Sequence, residues 1–536
     1  YQFNYSHLLY FICPAIGILL TILFCKYILK KEVGHGIPGI LYAISKKKGE
    51  VSHSSTWTAI VTSALTVGFG GSVGLEGPSV STGAAIGSNI GQLLKLDYKK
   101  IVLLIGMGGA AALAAIFQAP ITGVVFALEV LMIDLSLGAL VPIIVSSFVA
   151  ILTSYFLLGQ AVEYPTAISE GFIPANAIFY IGLGVFAGLI SAYFLKVTFS
   201  VEKRFKHIDS PWKRFFLGAT LLGLLIYLFP ALYGEGYEAI NKALAGDYSP
   251  IFGNPLLARL KGIDWITLVL FLGIILLKAF ATAFTFGAGG VGGTFAPALF
   301  LGAFSGLFFA LTMNYLGIAN LDPAKFALVG MSGLVAGMLH APLTGIFLIA
   351  ELTGGYALFL PLMIVSSVSY LTIRIFQPHS IYSMRLAKKG ELLTHHKDRS
   401  ILTLMRTENV IEKDFLPVSP DMDLGMLTGV ISRSQRNIFP VLNAEHKLVG
   451  VVWMDKIRKV MFRTELYHRY TVDKLMEQPP ACIISTDSMD VVMRKFDETK
   501  AWNLPVEDED GIYLGFVSRS KIFGEYRKLL VDFSDE

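Results

Sequence analysis

The stretch "GFGGSVGLEGPSVSTGAAIGSNIG" carries one charge, Glu76, inside the turn "GLEGP" at Gly74 to Pro78. A glycine-rich turn that runs into a helix start presents free backbone N–H groups and the positive end of the helix dipole, and that combination attracts anions. Two more turns share the Gly-x-x-x-Pro frame: "GHGIP" at Gly34 to Pro38 and "GTFAP" at Gly293 to Pro297. Glycine lets the backbone approach an ion, and a proline in the first helical turn costs no donor. One such turn is also what close packing of membrane helices produces, so the weight lies in the threefold recurrence. A lone intramembrane carboxylate in such a turn is desolvated, and its protonation responds to ions and pH. The plainer alternative is a carboxylate that only caps its own helix.

The elements that position these turns belong in lipid. Hydrophobic residues make up 54% of the 536 residues and charged residues only 16%, with a mean hydropathy of +0.61, outside the range of soluble domains. Uncharged stretches run from Leu8 to Cys25, Ala177 to Leu195, Trp265 to Leu277 and Leu352 to Ile373. Other stretches are interrupted by glycine or proline. Short and broken helices at membrane depth must turn their freed backbone groups to protein or to a water-filled cavity. The first apolar stretch leads into "CKYILKK" with no small-residue cleavage site, so no cleavable signal peptide is expected.

A net charge of +4 is too slight to argue for nucleic acid, and the basic residues read as cytoplasmic anchors. Cys13, Cys25 and Cys482 form no spaced pair, which speaks against a disulfide framework or a zinc site. Divalent-cation sites need clustered carboxylates and hydrolases need a nucleophile with a base, whereas Glu76, Glu129, Asp134 and Glu351 are scattered. No enzyme activity, metal or cofactor is therefore expected. A divalent-cation transporter regulated by its soluble part remains as a distant alternative from another class.

The membrane part repeats. "GGSVGLEGPSVSTGAAIG" aligns with "AGGVGGTFAPALFLGAFSG", matching Gly74 with Gly293, Pro78 with Pro297, Gly83 with Gly302 and Gly87 with Gly306. "QAPITGVVFALEVL" aligns with "HAPLTGIFLIAELT", matching Pro120 with Pro342, Gly123 with Gly345 and Glu129 with Glu351. Two homologous halves with breaks in corresponding places mark a transporter or channel whose site lies at the repeat interface. Charges become frequent after about Ala387. The segment "MRLAKKGELLTHHKDRSI" reads as a linker, and His395 and His396 within it as solvated residues with no metal-ligand spacing. Beyond it, "FPVLNAEHKLVGVVWMDKI" aligns with "LPVEDEDGIYLGFVSRSKI", each offering two strands and a helix start.

The soluble repeat resembles a tandem pair of CBS domains, and the resemblance implies a regulatory module. Many such modules bind adenine nucleotides through a serine or threonine after the second strand and an aspartate three residues later. Trp453 and Lys456 stand there in the first copy, Ser518 and Lys521 in the second, so nucleotide binding is not expected. The membrane part is similar to the CLC family of chloride channels and chloride/proton antiporters, whose signatures GSGIP, G(K/R)EGP and GxFxP correspond in order to "GHGIP", "GLEGP" and "GTFAP". The expected fold is an all-α polytopic membrane protein, a CLC-like inverted repeat of broken and tilted helices, plus a C-terminal α/β tandem CBS domain. The expected divisions are 1–387 for the transmembrane domain, 388–407 for the linker, and 408–470 and 471–536 for the CBS domains. The resemblance further implies a homodimer with one pathway per subunit and more helix before the first signature than the one segment here; from the compact soluble tail, a bacterial plasma membrane with the CBS domains cytoplasmic is expected.

Carried over from the family, Glu76 matches the gating glutamate. His35, Gly36, Ile37, Gly74, Gly77, Thr294, Phe295, Ala296 and Tyr382 fall at anion-binding positions. His35 replaces a serine whose hydroxyl meets the central anion; imidazole can donate in its place. Leu75 replaces a basic residue, which weakens the expected positive potential near the pathway mouth. Val130 stands where many antiporters carry a proton-transfer glutamate, beside Glu129. The expected function is chloride or similar anion transport, leaning to channel-like passive permeation, with proton-coupled chloride exchange as the alternative.

Overall fold

The computed structural model describes residues 5–30, 36–133, 136–159, 172–388, 405 and 407–532. Gly34, His35, Asp134, His395 and His396 lie outside the described residues. The chain divides into two compact units, Tyr1–Leu392 and Leu393–Glu536.

In the first unit seven helices among the described residues are long and apolar enough to cross a membrane: Leu9–Leu29, Tyr98–Phe117, Gly138–Leu158, Pro174–Lys206, Asp264–Ala288, Phe295–Tyr315 and Phe359–Phe376. Three shorter apolar helices, Pro120–Glu129, Pro323–Leu339 and Pro342–Leu352, accompany them. The breaks have local causes. Before Pro120 and before Pro342 the proline ring drives Ala119 and Ala341 out of the helical region (φ −121° and −128°). The residues in front of them, Gln118 and His340, are left-handed (φ 51° and 56°), so each chain half breaks its helix at the same place. The uncharged stretch from Leu352 to Ile373 is likewise not one helix: one helix ends at Leu352 and the next begins at Phe359.

Glycines let the paired helices of each half touch at backbone distance. A Cβ on Gly83 would sit 2.2 Å from the Gly108 carbonyl oxygen, and one on Gly330 would sit 2.4 Å from that of Gly302. The aligned glycines Gly83 and Gly302 therefore hold equivalent crossings, Glu76–Leu93 on Tyr98–Phe117 and Phe295–Tyr315 on Pro323–Leu339.

In the second unit β1 (Ile438–Leu442) pairs antiparallel with β2 (Leu448–Trp453). β4 (Asn503–Glu507) pairs antiparallel with β5 (Tyr513–Ser518) and parallel with β3 (Ile483–Ile484). Val418 makes the matching parallel bridge to Val441. Pro440 faces Val451 and Pro505 faces Phe516, so the aligned prolines occupy the same register in both copies. The cores cut across a linear division at 470/471: Val472, Leu475 and Met476 pack with Leu424, Phe439 and Val452, while Met405, Val410 and Ile411 pack with Ile483, Phe496 and Leu504.

Candidate anion site

The two aligned turns meet directly. Gly74 N–H donates to the Gly293 oxygen at 2.9 Å and Gly293 N–H donates to the Gly74 oxygen at 2.7 Å. Helices Glu76–Leu93 and Phe295–Tyr315 leave from this crossing, and their N-cap residues, Leu75 and Thr294, make no side-chain cap. Helix Ile37–Lys46 joins them; its N-cap, Gly36, is left-handed (φ 63°) and also makes no side-chain cap. The first-turn N–H groups of three helices thus have no side-chain cap where the three signatures converge.

They converge on a cavity of about 40 Å³, lined by Gly36, Ile37 and Pro38, by Gly77, by Gly292, Gly293 and Thr294, by Ile381 and Tyr382, and by Thr198, Phe199 and Phe286. That is room for more than one water-sized particle. Thr198 Oγ1, Thr294 Oγ1 and the Tyr382 hydroxyl are all buried without a completed hydrogen bond among the described residues, the Thr294 and Tyr382 hydroxyls approaching each other without completing its geometry. Three orphaned hydroxyls around one cavity are costly unless something accepts from them. Hydroxyls and helix N-termini are donors, so the fitting occupant is a small anion.

Glu76 is 2% exposed. Its Oε1 accepts the Tyr237 hydroxyl at 2.5 Å, while Oε2 is buried without a partner among the described residues. The N–H groups of Glu76 and Ala296 approach the carboxylate without completing hydrogen-bond geometry. A Cβ on Gly74 would fall 2.2 Å from Oε2, so this glycine leaves the room the carboxylate uses. Leu75 borders a second, open cavity of about 500 Å³, shared with Tyr237, Glu235 and Glu238. Leu75, before Glu76, borders this vestibule, and Gly77, after it, borders the hydroxyl cavity.

Of the expected anion-binding residues, Gly36, Ile37, Gly77, Thr294 and Tyr382 line the cavity, whereas Gly74 and Ala296 lie beside Glu76 Oε2. Phe295 turns its ring to Phe117 and Phe126, with centroids 5.5 and 6.5 Å away, and contributes no cavity wall. His35 lies outside the described residues. Four residues escaped the sequence reading: Thr198, Glu235, Tyr237 and Lys278. Lys278 is fully buried, donating to Ser72 Oγ at 2.8 Å and to the Gly234 oxygen at 3.3 Å, with its ammonium 4.7 Å from the Phe300 ring centroid. A basic side chain is thus present near the Glu76 turn although position 75 is leucine.

Val130 follows the last residue of helix Pro120–Glu129 and is 4% exposed. Glu129 reaches the start of helix Pro342–Leu352, accepting from Leu343 N–H at 3.0 Å and from Thr344 N–H and Oγ1, both at 2.8 Å. Glu351 does the same in reverse, accepting from Ile121 N–H and Thr122 N–H at 2.9 Å and from Thr122 Oγ1 at 2.6 Å. Each carboxylate caps the other half's helix, the self-complementary exchange that a two-fold relation requires. No cluster of three or more His, Cys, Asp or Glu side chains that could hold a metal ion occurs among the described residues.

Broken helices in two inverted halves, crossing at paired glycine turns around a cavity of unpartnered donors, define an integral membrane protein of the anion-pathway type. The chain belongs to the family described as voltage gated chloride channel, whose profile matches residues 17–374, and a CBS domain profile matches residues 472–528. A putative chloride channel protein ClcB-like of Ralstonia nicotianae is 30% identical over 385 residues, covering 70% of this chain and 85% of that protein. A voltage-gated ClC-type chloride channel ClcB of Citrobacter koseri is 29% identical over 346 residues, 63% of this chain and 78% of that protein.

Solved structures share the fold. A slow cyanobacterial Cl-/H+ antiporter superposes with a TM-score of 0.60 at 24% identity, covering 72% of this chain and 87% of that one. A eukaryotic CLC transporter gives 0.60 at 19% identity, covering 97% and 91%. A CLC-type fluoride/proton antiporter gives 0.57 at 26% identity, covering 71% and 89%.

Proposed function

We propose that this chain carries chloride or a similar small anion across a membrane, through the cavity ringed by Thr198, Thr294 and Tyr382, with Glu76 as the gate. The observation that supports this reading is the set of three buried, unpartnered hydroxyls facing the same space as three helix N-termini without side-chain caps. The Glu76 carboxylate is itself an anion at the mouth of that space, so it competes with chloride when ionised and yields when protonated.

Transport is passive in this reading. Valine at position 130 neither binds nor hands on a proton, and the carboxylate next to it, Glu129, has both oxygens engaged by the Leu343–Thr344 helix start. The second reading, proton-coupled exchange, is favoured by one observation: the solved relative at 26% identity is a fluoride/proton antiporter. A homodimer with one pathway per subunit, in a bacterial plasma membrane with the CBS pair cytoplasmic, completes the proposal.

The test is chloride efflux from liposomes with proton movement recorded at the same time. The expected result is efflux without a divalent-cation requirement and without proton uptake, with the pH dependence removed in Glu76→Gln. Unchanged pH dependence in that variant overturns the gate, and proton movement in a fixed ratio to chloride selects the second reading.

A further inference from the structure

Leu75 borders the vestibule and Gly77 borders the hydroxyl cavity, so whatever controls Glu76 from the vestibule must act at this point. The segment Tyr233–Tyr237 forms that wall. Tyr237 gives its hydroxyl to Glu76 Oε1 at 2.5 Å, and Glu235 Oε1 accepts the Leu75 N–H at 2.9 Å. One short segment thus grips the gate by its side chain and the preceding turn by its backbone. The segment is itself held firmly: Gly234 N–H donates to the Gly70 oxygen at 3.1 Å, and the Gly234 oxygen accepts from Lys278 Nζ. Gly236 has φ 93°, and a Cβ there would lie 2.5 Å from the Phe300 ring. This packing aims Tyr237 inward.

The geometry points to Tyr237 as the latch that holds Glu76 in its closed position, and to Glu235 as the charge through which the vestibule governs that latch. The inference rests on the gating role proposed above for Glu76. A phenol donates far more strongly to a carboxylate than to a protonated carboxyl group, so a proton reaching Glu76 both neutralises it and loosens its hold. The groups facing Glu76 are Tyr237 and Glu235 from this segment and Tyr382 from beyond helix Phe359–Phe376. Those facing Glu235 are Glu76 and Lys278, with Glu238 on the same vestibule wall. An ionised Glu235 favours protonation of its neighbour and repels anions arriving from the vestibule, while Lys278 in its protonated form opposes both effects. Position 75 needs no charged side chain in this arrangement, because the charges come from the far wall.

The experiment is anion flux through the full chain in liposomes, with pH changed on one side at a time. Tyr237→Phe keeps the ring and removes the donor. The expected result is about tenfold faster flux at neutral pH, the weight of a hydrogen bond to a charged group, with a flattened response to vestibule-side pH. Glu235→Gln should move the vestibule-side pH profile to lower pH and leave the opposite side unaffected. In a Glu76→Gln background, Tyr237→Phe should add nothing.

Wild-type flux and pH response in both single variants overturn the latch, as does a Tyr237→Phe effect of equal size when Glu76 is already glutamine. Those two outcomes leave Glu76 gating intact. Retained pH dependence in Glu76→Gln alone removes the gating role and the latch with it.

Discussion

Replacing Glu129 with glutamine separates a structural clasp from a proton relay. The carboxylate accepts two backbone N–H bonds and one hydroxyl from the start of helix Pro342–Leu352. The amide loses the charge and turns one of its two acceptors into a donor facing donors. Hydrogen bonds to charged groups contribute about 1.5–3 kcal/mol, and loss of a helix cap costs about 0.5–2 kcal/mol, so Glu129→Gln should cost about 2–3 kcal/mol. In a protein of this size that is a fall of roughly 2–4 °C in melting temperature, read by thermal unfolding in detergent. Glu351→Gln should give a fall of the same size, because it makes the mirror-image bonds to Ile121 and Thr122. Thr344→Val removes only the hydroxyl bond to the carboxylate and should cost about 1.5 kcal/mol. Anion flux and its indifference to a proton gradient should survive in all three. A Glu129→Gln protein that melts like wild type, or whose ion coupling changes, refutes the clasp.

Thr198→Val exchanges one cavity hydroxyl for a methyl group and should weaken chloride binding about tenfold or more by calorimetry; unchanged affinity would remove Thr198 from the site. The CBS pair should give no calorimetric signal with micromolar ATP, since Ser518 already donates to Glu412 and Lys456 is paired with Glu477. Measurable binding would mean these contacts yield to a nucleotide. Burial, reinforced by Glu507, pushes the Cys482 thiol up to about 11. Only about one molecule in a thousand then carries the thiolate at pH 8, so alkylation there should be slow and should rise about tenfold per pH unit towards pH 10. Fast labelling at pH 8 would show that the thiol is not buried as described.

The three signature turns were legible because proline at a fixed offset from glycine is a backbone instruction that needs no tertiary context. The internal alignment went further: Gly74 and Gly293, matched as repeat equivalents, exchange backbone hydrogen bonds, and the Glu129–Glu351 match appears as the reciprocal clasp. Thr198 was illegible, because one threonine in the long apolar helix Ala177–Lys206 carries no pattern, and only the fold brings it to Thr294 and Tyr382. Tyr237 and Lys278 escaped for the same reason; lysine in a membrane helix reads as a span boundary until its partners, Ser72 and Gly234, are seen. In the soluble unit, strand and turn order were readable from the repeat, but the exchange of Val472 and Val410 between cores depends on packing alone.

Whether anion movement is tied to protons is decided most directly by the reversal potential of reconstituted protein under combined chloride and pH gradients. With Val130 at the relay position and Glu129 held by Thr344, the potential should follow chloride alone, about 59 mV for each tenfold gradient, and should not move when pH is changed on either side. A potential that shifts with the proton gradient at fixed chloride, and returns to the chloride value in Glu76→Gln, would contradict passive permeation and make this chain an exchanger.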